Sequence, residues 1–278
     1  MQTRRFMQVD VFTPTPTQGN GLAVVLDGDG LSDRQMQDFA TWTNLAETTF
    51  IQSPTSPDAD YRLRIFSLSG EMLFAGHPTL GTCAAWLAAG GKSKRASTVV
   101  QECGVGLVEI DQTGAMPAFA APPTTVNSLD PEQVERICNA LSLPRDRIIQ
   151  TARLNNGPTW QVIELQSARD VLAVAPFTAR GPEFRGVALI APHDSGGETD
   201  VEVRNLGPAS SMSEDPITGS LNAALACWKY ETGDWTGSKV AAQGTCIGRT
   251  GRVYADYRDG IVWIGGQSHV LIEGTVTL

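Results

Sequence analysis

One short pattern constrains this chain more than any other. Pro-x-x-Gly-[Ser/Thr] occurs at two places, and each copy leads into a run of small apolar residues. The first is Ala75-Gly76-His77-Pro78-Thr79-Leu80-Gly81-Thr82, followed by Cys83-Ala84-Ala85-Trp86-Leu87-Ala88-Ala89. The second is Asp215-Pro216-Ile217-Thr218-Gly219-Ser220, followed by Leu221-Asn222-Ala223-Ala224-Leu225-Ala226-Cys227-Trp228. Proline is tolerated in the first turn of a helix, where a missing N–H is no loss. A helix with no polar stripe is buried on every side. The pattern therefore predicts two buried helices, one in each half of the chain, with His77 and Asp215 at their N-termini. On pattern alone, two ordinary core helices with convenient caps fit equally well.

Composition excludes several classes. The 278 residues are 41% hydrophobic and 18% charged, enough for a full core in one large domain or two ordinary ones. A formal charge of -9, with the basic residues scattered, argues against a nucleic-acid surface. No stretch reaches membrane-spanning length. Met1 to Phe6 runs directly into a strand-like pattern without an apolar core or cleavage site, so a cytoplasmic location is expected. Five cysteines, none in a Cys-x-x-Cys spacing, and three scattered histidines suggest neither a disulfide framework nor a metal centre.

Alternation predicts strands at residues 6–12, 22–26, 61–68 and 106–110, with shorter ones near 72–74 and 99–100. Ser32 with Gln35 resembles a capping box, opening a helix to about Asn44. Asn44 to Ile51, which contains Glu47, reads as a helix exit into a strand. Gly90-Gly91 marks the end of the first buried helix. After the proline-rich stretch Ala121 to Thr125 the order restarts. Asp130-Pro131-Glu132 opens a helix through Leu141, and a short helix fits residues 167–174. Strands follow the pattern at 148–151, 160–165, 187–190, 201–206, 253–257, 261–264 and 270–276. The expected fold is α+β, with two pseudo-symmetric halves, each a barrel-like, mostly antiparallel sheet around a central helix. The expected boundaries are 1–120, a linker at 121–130, and 131–267, with strand 268–278 joining the first half. Two helix N-termini across a shared cleft would favour a carboxylate-bearing ligand.

Four motifs then appear in order: Asp10-Val11-Phe12 with Gly19-Asn20, Glu47-Thr48-Thr49-Phe50, Gly76 to Gly81, and Asp215 to Ser220. Together they resemble the phenazine-biosynthesis PhzF-like isomerase family, similar in fold to diaminopimelate epimerase. The resemblance implies a homodimeric isomerase without cofactor or metal, acting on a small carboxylate by acid/base catalysis. It implies Glu47 as the proton carrier, with Asp215 and His77 flanking the substrate as further catalytic residues. Asn20, Gly76, Gly219 and Ser220 are implied as substrate-binding. Read without the family, Glu47 is a surface carboxylate, Asp215 and His77 are N-caps, and Asn20 turns a loop.

The chain departs from the family pattern at Ala46, where Ser is usual, at Gly21 in place of Pro, and at Leu221 and Asn222 in place of a small residue and His. These departures keep two alternatives open: a non-catalytic metabolite-binding protein, and a carboxylate-based amino-acid epimerase. Two-thiol racemisation is disfavoured, because Cys83 and Cys227 lie inside the apolar runs.

Overall fold

Short strands with one apolar face must wrap something, and in this chain each sheet has a helix of small residues to wrap. The computed structural model describes residues 1–176, 181–207 and 214–278. The chain divides into two units, Met1–Ala120 with Gly265–Leu278, and Ala121–Ile264.

In the first unit the order is β1 (Thr3–Val11), β2 (Asn20–Val25), α1 (Asp33–Thr43), β3 (Glu47–Gln52), β4 (Tyr61–Ser67), β5 (Gly70–Met72), α2 (Gly76–Ala88), β6 (Thr98–Cys103), β7 (Gly106–Asp111) and β8 (Ala118–Ala120). In the second it is β9 (Thr125–Asn127), α3 (Pro131–Leu141), β10 (Ile148–Asn155), β11 (Thr159–Leu165), α4 (Ala168–Ala173), β12 (Val187–Pro192), β13 (Val201–Asn205), α5 (Gly219–Glu231), β14 (Lys239–Gln243), β15 (Gly251–Arg258) and β16 (Ile261–Gly265). The final strand, β17 (Ser268–Thr277), pairs antiparallel with β1 from Thr3↔Thr277 to Val11↔Ser268 and so belongs to the first unit. Strands dominate and antiparallel ladders outnumber parallel ones, so the fold is α+β.

The two units use the same succession of ladders. In the first, β1–β2 is antiparallel, β2–β3 parallel across α1, β3–β4 antiparallel, β4–β6 parallel across α2, and β6–β7 antiparallel. In the second, β10–β11 is antiparallel, β11–β12 parallel across α4, β12–β13 antiparallel, β13–β14 parallel across α5, and β14–β15 antiparallel. A parallel neighbour requires a crossover, and a helix supplies it. The first crossover in each unit covers the outside of its sheet, and the second is the buried helix. The proline-rich stretch after Ala120 includes β9, which pairs with β10.

Helix α2 packs against β1, β2, β3, β8 and β17, so the first sheet curls around it. Gly81 permits that approach. A Cβ there would lie 2.7 Å from both Leu22 Cδ2 and Val11 Cγ2. Two hydroxyls of the helix are matched: the Thr49 and Thr82 hydroxyls meet at 2.9 Å, and Gln101 Nε2 donates to Thr79 Oγ1 at 3.2 Å. On the outer face α1 seats Met36, Phe39 and Ala40 against Val25, Phe50 and Phe66. Ser32 caps that helix with Gln35 in the capping box expected from the sequence.

In the second unit α3 and α4 cover the sheet, packing Ile137, Leu141 and Val171 against Ile163, Leu165, Val187 and Leu189. Buried α5 contacts β10 and β15. No helix among the described residues is long and apolar enough to cross a membrane.

Candidate active site

Of the seven residues singled out in the sequence, Asn20, Glu47, Gly76 and His77 lie in the first unit. Asn20 opens β2 opposite Val11 and is 3% exposed. Its loop is tight. Gly19 donates its amide to Asp10 Oδ2 at 3.0 Å, and a Cβ at Gly19 would come within 2.4 Å of the Val11 carbonyl oxygen. Glu47 opens β3 between Leu22 of β2 and Ser67 of β4. Both Asn20 and Glu47 are therefore first residues of central strands, where backbone pairing fixes the Cα and leaves the side chain at the sheet's end.

The start of α2 brings His77 to Glu47. The helix begins at Gly76 from Ala75 in extended conformation; no side chain caps it, and no acidic residue lies in its first turn. First-turn amides have no partner within a helix, so the backbone there presents donors and partial positive charge. His77 Nε2 stands 3.3 Å from Glu47 Oε2, with side-chain exposures of 6% and 16%. Burial pushes the His77 imidazole down to about 3. The contact is thus one between a neutral ring and a carboxyl group, not an ion pair: at this depth desolvation of an imidazolium outweighs its attraction to the neighbouring carboxylate. The two facing atoms are buried and are not joined by a hydrogen bond, and a neutral imidazole in this place does not compete with Glu47 as a base.

Asp215, Gly219 and Ser220 lie in the second unit. Here the structure corrects the expected helix start. Helix α5 begins at Gly219 with Thr218 as its N-cap residue, so Asp215 and Pro216 precede the helix instead of opening it. The cause is a web of side chains that holds residues 215–218 out of the helix, with Asp215 bridged to Asn205 and Thr218 extended. Asp215 forms an isolated bridge with Asn205 and donates its amide to the Asn205 carbonyl at 3.0 Å. Gln243, the last residue of β14, accepts from the Thr218 amide at 3.0 Å and donates to the Asp215 carbonyl at 3.2 Å. Just before Asp215, Glu214 is 4% exposed and forms a buried ion pair with Arg204 at 2.7 Å. Arg204 spends its remaining donors on the Val171 and Val174 carbonyls, which end α4. The first turn of α5, like that of α2, has no side-chain cap and no acidic residue. Gly219 and Ser220 are buried, and the Ser220 carbonyl accepts from Asn156 Nδ2 at 2.8 Å.

Gln243, Asn205 and Arg204 were not singled out from the sequence. Their signal is tertiary: Lys239-Val240-Ala241-Ala242-Gln243 has little strand alternation, and nothing local marks its glutamine. Asn222, noted as a departure, donates to the Thr218 carbonyl at 3.0 Å and to Gln243 Oε1 at 2.8 Å, so it helps build the helix start. Burial pushes the Cys83 thiol up to about 12 and raises Cys227 as well, which fits inert core thiols. Among the described residues no three His, Cys, Asp or Glu side chains gather as metal ligands.

Comparison with known proteins agrees in sequence and in fold. The family described as "Phenazine biosynthesis-like protein" matches residues 9–277. A Schizosaccharomyces pombe protein named "Antisense-enhancing sequence 1" is 33% identical, covering 99% of each chain. The "Trans-2,3-dihydro-3-hydroxyanthranilate isomerase" of Pseudomonas aeruginosa is 31% identical, again over 99% of each. The crystal structure of a Bacillus anthracis phenazine biosynthesis protein of the PhzF family superposes with a TM-score of 0.84 at 20% identity, covering all of both chains. The expected fold, related to that of diaminopimelate epimerase, is borne out. The chain belongs to the phenazine biosynthesis-like, or PhzF-like, family, and it is an isomerase of that family.

Proposed function

We propose that this isomerase moves a proton on a small carboxylate-bearing metabolite, with Glu47 taking the proton from carbon and returning one. The observation that carries the reading is the Glu47–His77 contact: 3.3 Å, largely buried, at the uncapped start of α2. Glu47 offers a carboxyl group, able to take up and give back a proton, with its side chain only 16% exposed. His77 Nε2 and Glu47 Oε2 stand 3.3 Å apart without a hydrogen bond between them, close enough for a small turn of either side chain to make one with Glu47 in its ionised or its acid form. His77 so placed steadies both states without taking the proton away. The Gly76 and His77 amides are the donors assigned to the substrate carboxylate or to charge that develops during transfer.

Asp215 is assigned to the catalytic set. Gly219 and Ser220, whose helix start is of the same uncapped kind, are assigned to substrate binding with Gly76 and Asn20. The mechanism asks nothing of a metal or nucleotide.

The test is deuterium wash-in from heavy water, followed by NMR. Trans-2,3-dihydro-3-hydroxyanthranilate, the compound in the name of the Pseudomonas aeruginosa relative, heads a panel of small carboxylates. The parent is expected to exchange one carbon-bound hydrogen. Glu47→Gln should exchange about 10²–10⁴ times more slowly, while the purified variant keeps the parent's circular dichroism. Equal exchange by parent and variant removes Glu47 from the chemistry.

A further inference from the structure

Thr218 carries a hydroxyl with three polar neighbours, and counting its lone pairs fixes where its proton goes. Asn205 Nδ2 lies 3.1 Å from Thr218 Oγ1, and Gln243 Nε2 lies 3.0 Å from it. Asp215 Oδ2 is the third neighbour, at 2.5 Å. A hydroxyl has one proton and two acceptor lone pairs. With the two amide N–H groups occupying the lone pairs, the proton points to Asp215 Oδ2.

The orientation of Gln243 follows from its other contacts. Its Oε1 accepts from the Thr218 backbone N–H at 3.0 Å and from Asn222 Nδ2 at 2.8 Å, and its Nε2 faces the Asp215 carbonyl at 3.2 Å. Turning the amide over would set its NH₂ against two donors and its oxygen against a carbonyl. Gln243 is fully buried, with both ends of its side chain engaged. Asn205 is 2% exposed, with Nδ2 turned to Thr218 and Oδ1 buried without a hydrogen-bond partner; Asp215 Oδ2, at 2.5 Å against 3.1 Å, is the nearer acceptor for the hydroxyl proton whichever way that amide is turned.

We propose that Thr218, Gln243 and Asn205 are positioning residues that hold Asp215 ionised, so that Asp215 acts as a fixed hydrogen-bond acceptor and not as a proton donor. With Oδ2 accepting from Thr218, only Oδ1 is left to carry a proton, and a carboxyl group with one oxygen so engaged holds its proton less readily. Hydrogen bonding to the charged form favours that form. The two carboxyl groups of the proposed catalytic set then divide the work. Glu47, facing a neutral imidazole, changes protonation state during the reaction; Asp215 does not, and orients a donor group of the substrate. This division rests on the proposed assignment of Asp215 to the catalytic set. The state of Asp215 itself does not.

The experiment titrates Asp215 directly in the full chain, using protein labelled with ¹³C at aspartate carboxyl carbons and Asp215→Asn to identify the resonance. In the parent, the signal is expected to stay at its ionised position as pH falls through about 3.9, the ordinary aspartate midpoint. Thr218→Val should raise the midpoint by about one pH unit, a tenfold gain in proton affinity. Thr218→Ser, which keeps the hydroxyl, should restore the parent value. A parent midpoint at or above about 4 overturns the proposal, and that measurement needs no variant to fold. An unchanged midpoint in folded Thr218→Val overturns it too. A depressed parent midpoint together with full deuterium exchange by Asp215→Asn would bear out the ionised state of Asp215 and overturn its place in catalysis.

Discussion

At His77 two effects oppose one another, and the acid stability of the protein reports which prevails. A carboxylate 3.3 Å away favours the protonated ring, whereas burial disfavours it and prevails, with the imidazole pushed down to about 3. In the unfolded chain the same ring titrates near about 6.5. Between those values the unfolded state binds a proton that the folded state does not, so acid favours unfolding. This contribution to stability is complete above about pH 6.5 and is lost as pH falls toward about 3, at up to about 1.4 kcal/mol per pH unit. His77→Asn should flatten that slope. Urea unfolding of parent and variant at neutral and mildly acid pH measures it, and identical slopes would contradict a buried neutral ring. The residues behind this behaviour were legible in the sequence, because Glu47 and His77 stand at the ends of well-marked elements. Gln243 was not, since its importance comes entirely from what folds against it. Asp215 was legible as a residue but misplaced as a helix start, because Pro216 imitates a first turn while Gln243 bonds Asp215 and Thr218 outside the helix.

At the scale of elements, the buried helices depend on small residues as much as on apolar ones. Gly81 lies where a methyl group would press on Leu22 and Val11, side chains of the two strands that also position Asn20 and the Asp10 loop. Gly81→Ala should therefore destabilise the fold by about 1–3 kcal/mol through overpacking, although alanine favours helix over glycine by up to about 1 kcal/mol. Chemical denaturation checks the sign, and a stabilised variant would show that α2 has room to shift. The helices were readable from apolar runs bracketed by Pro-x-x-Gly and glycine, and most strands from alternation. The three-residue strands β8 and β9 and the weakly patterned β14 were not, since their pairing partners specify them more than their own residues do.

For the whole molecule, the main consequence is that the first unit is discontinuous. Its chain leaves at Ala120 and returns at Gly265, and β17 then pairs along the length of β1. Deleting residues 268–278 takes away that entire ladder and the contacts of β17 with α2. The expected loss is several kcal/mol, comparable with the whole margin of about 5–15 kcal/mol typical of a domain. A thermal melt of the truncated chain tests this, and a parent-like midpoint would show that the ladder is dispensable. The repeated ladder order across the two units was foreseeable as a repeat of architecture. The order in which the chain completes its units is fixed by synthesis. Strand β1 emerges first, while its partner strand emerges after the whole second unit has been made. At about 5–20 residues per second, that leaves one edge of β1 open for on the order of tens of seconds. An open edge is a template for any passing strand. Until the last strand is made, the first unit is the half exposed to mispairing, and slower synthesis lengthens that exposure.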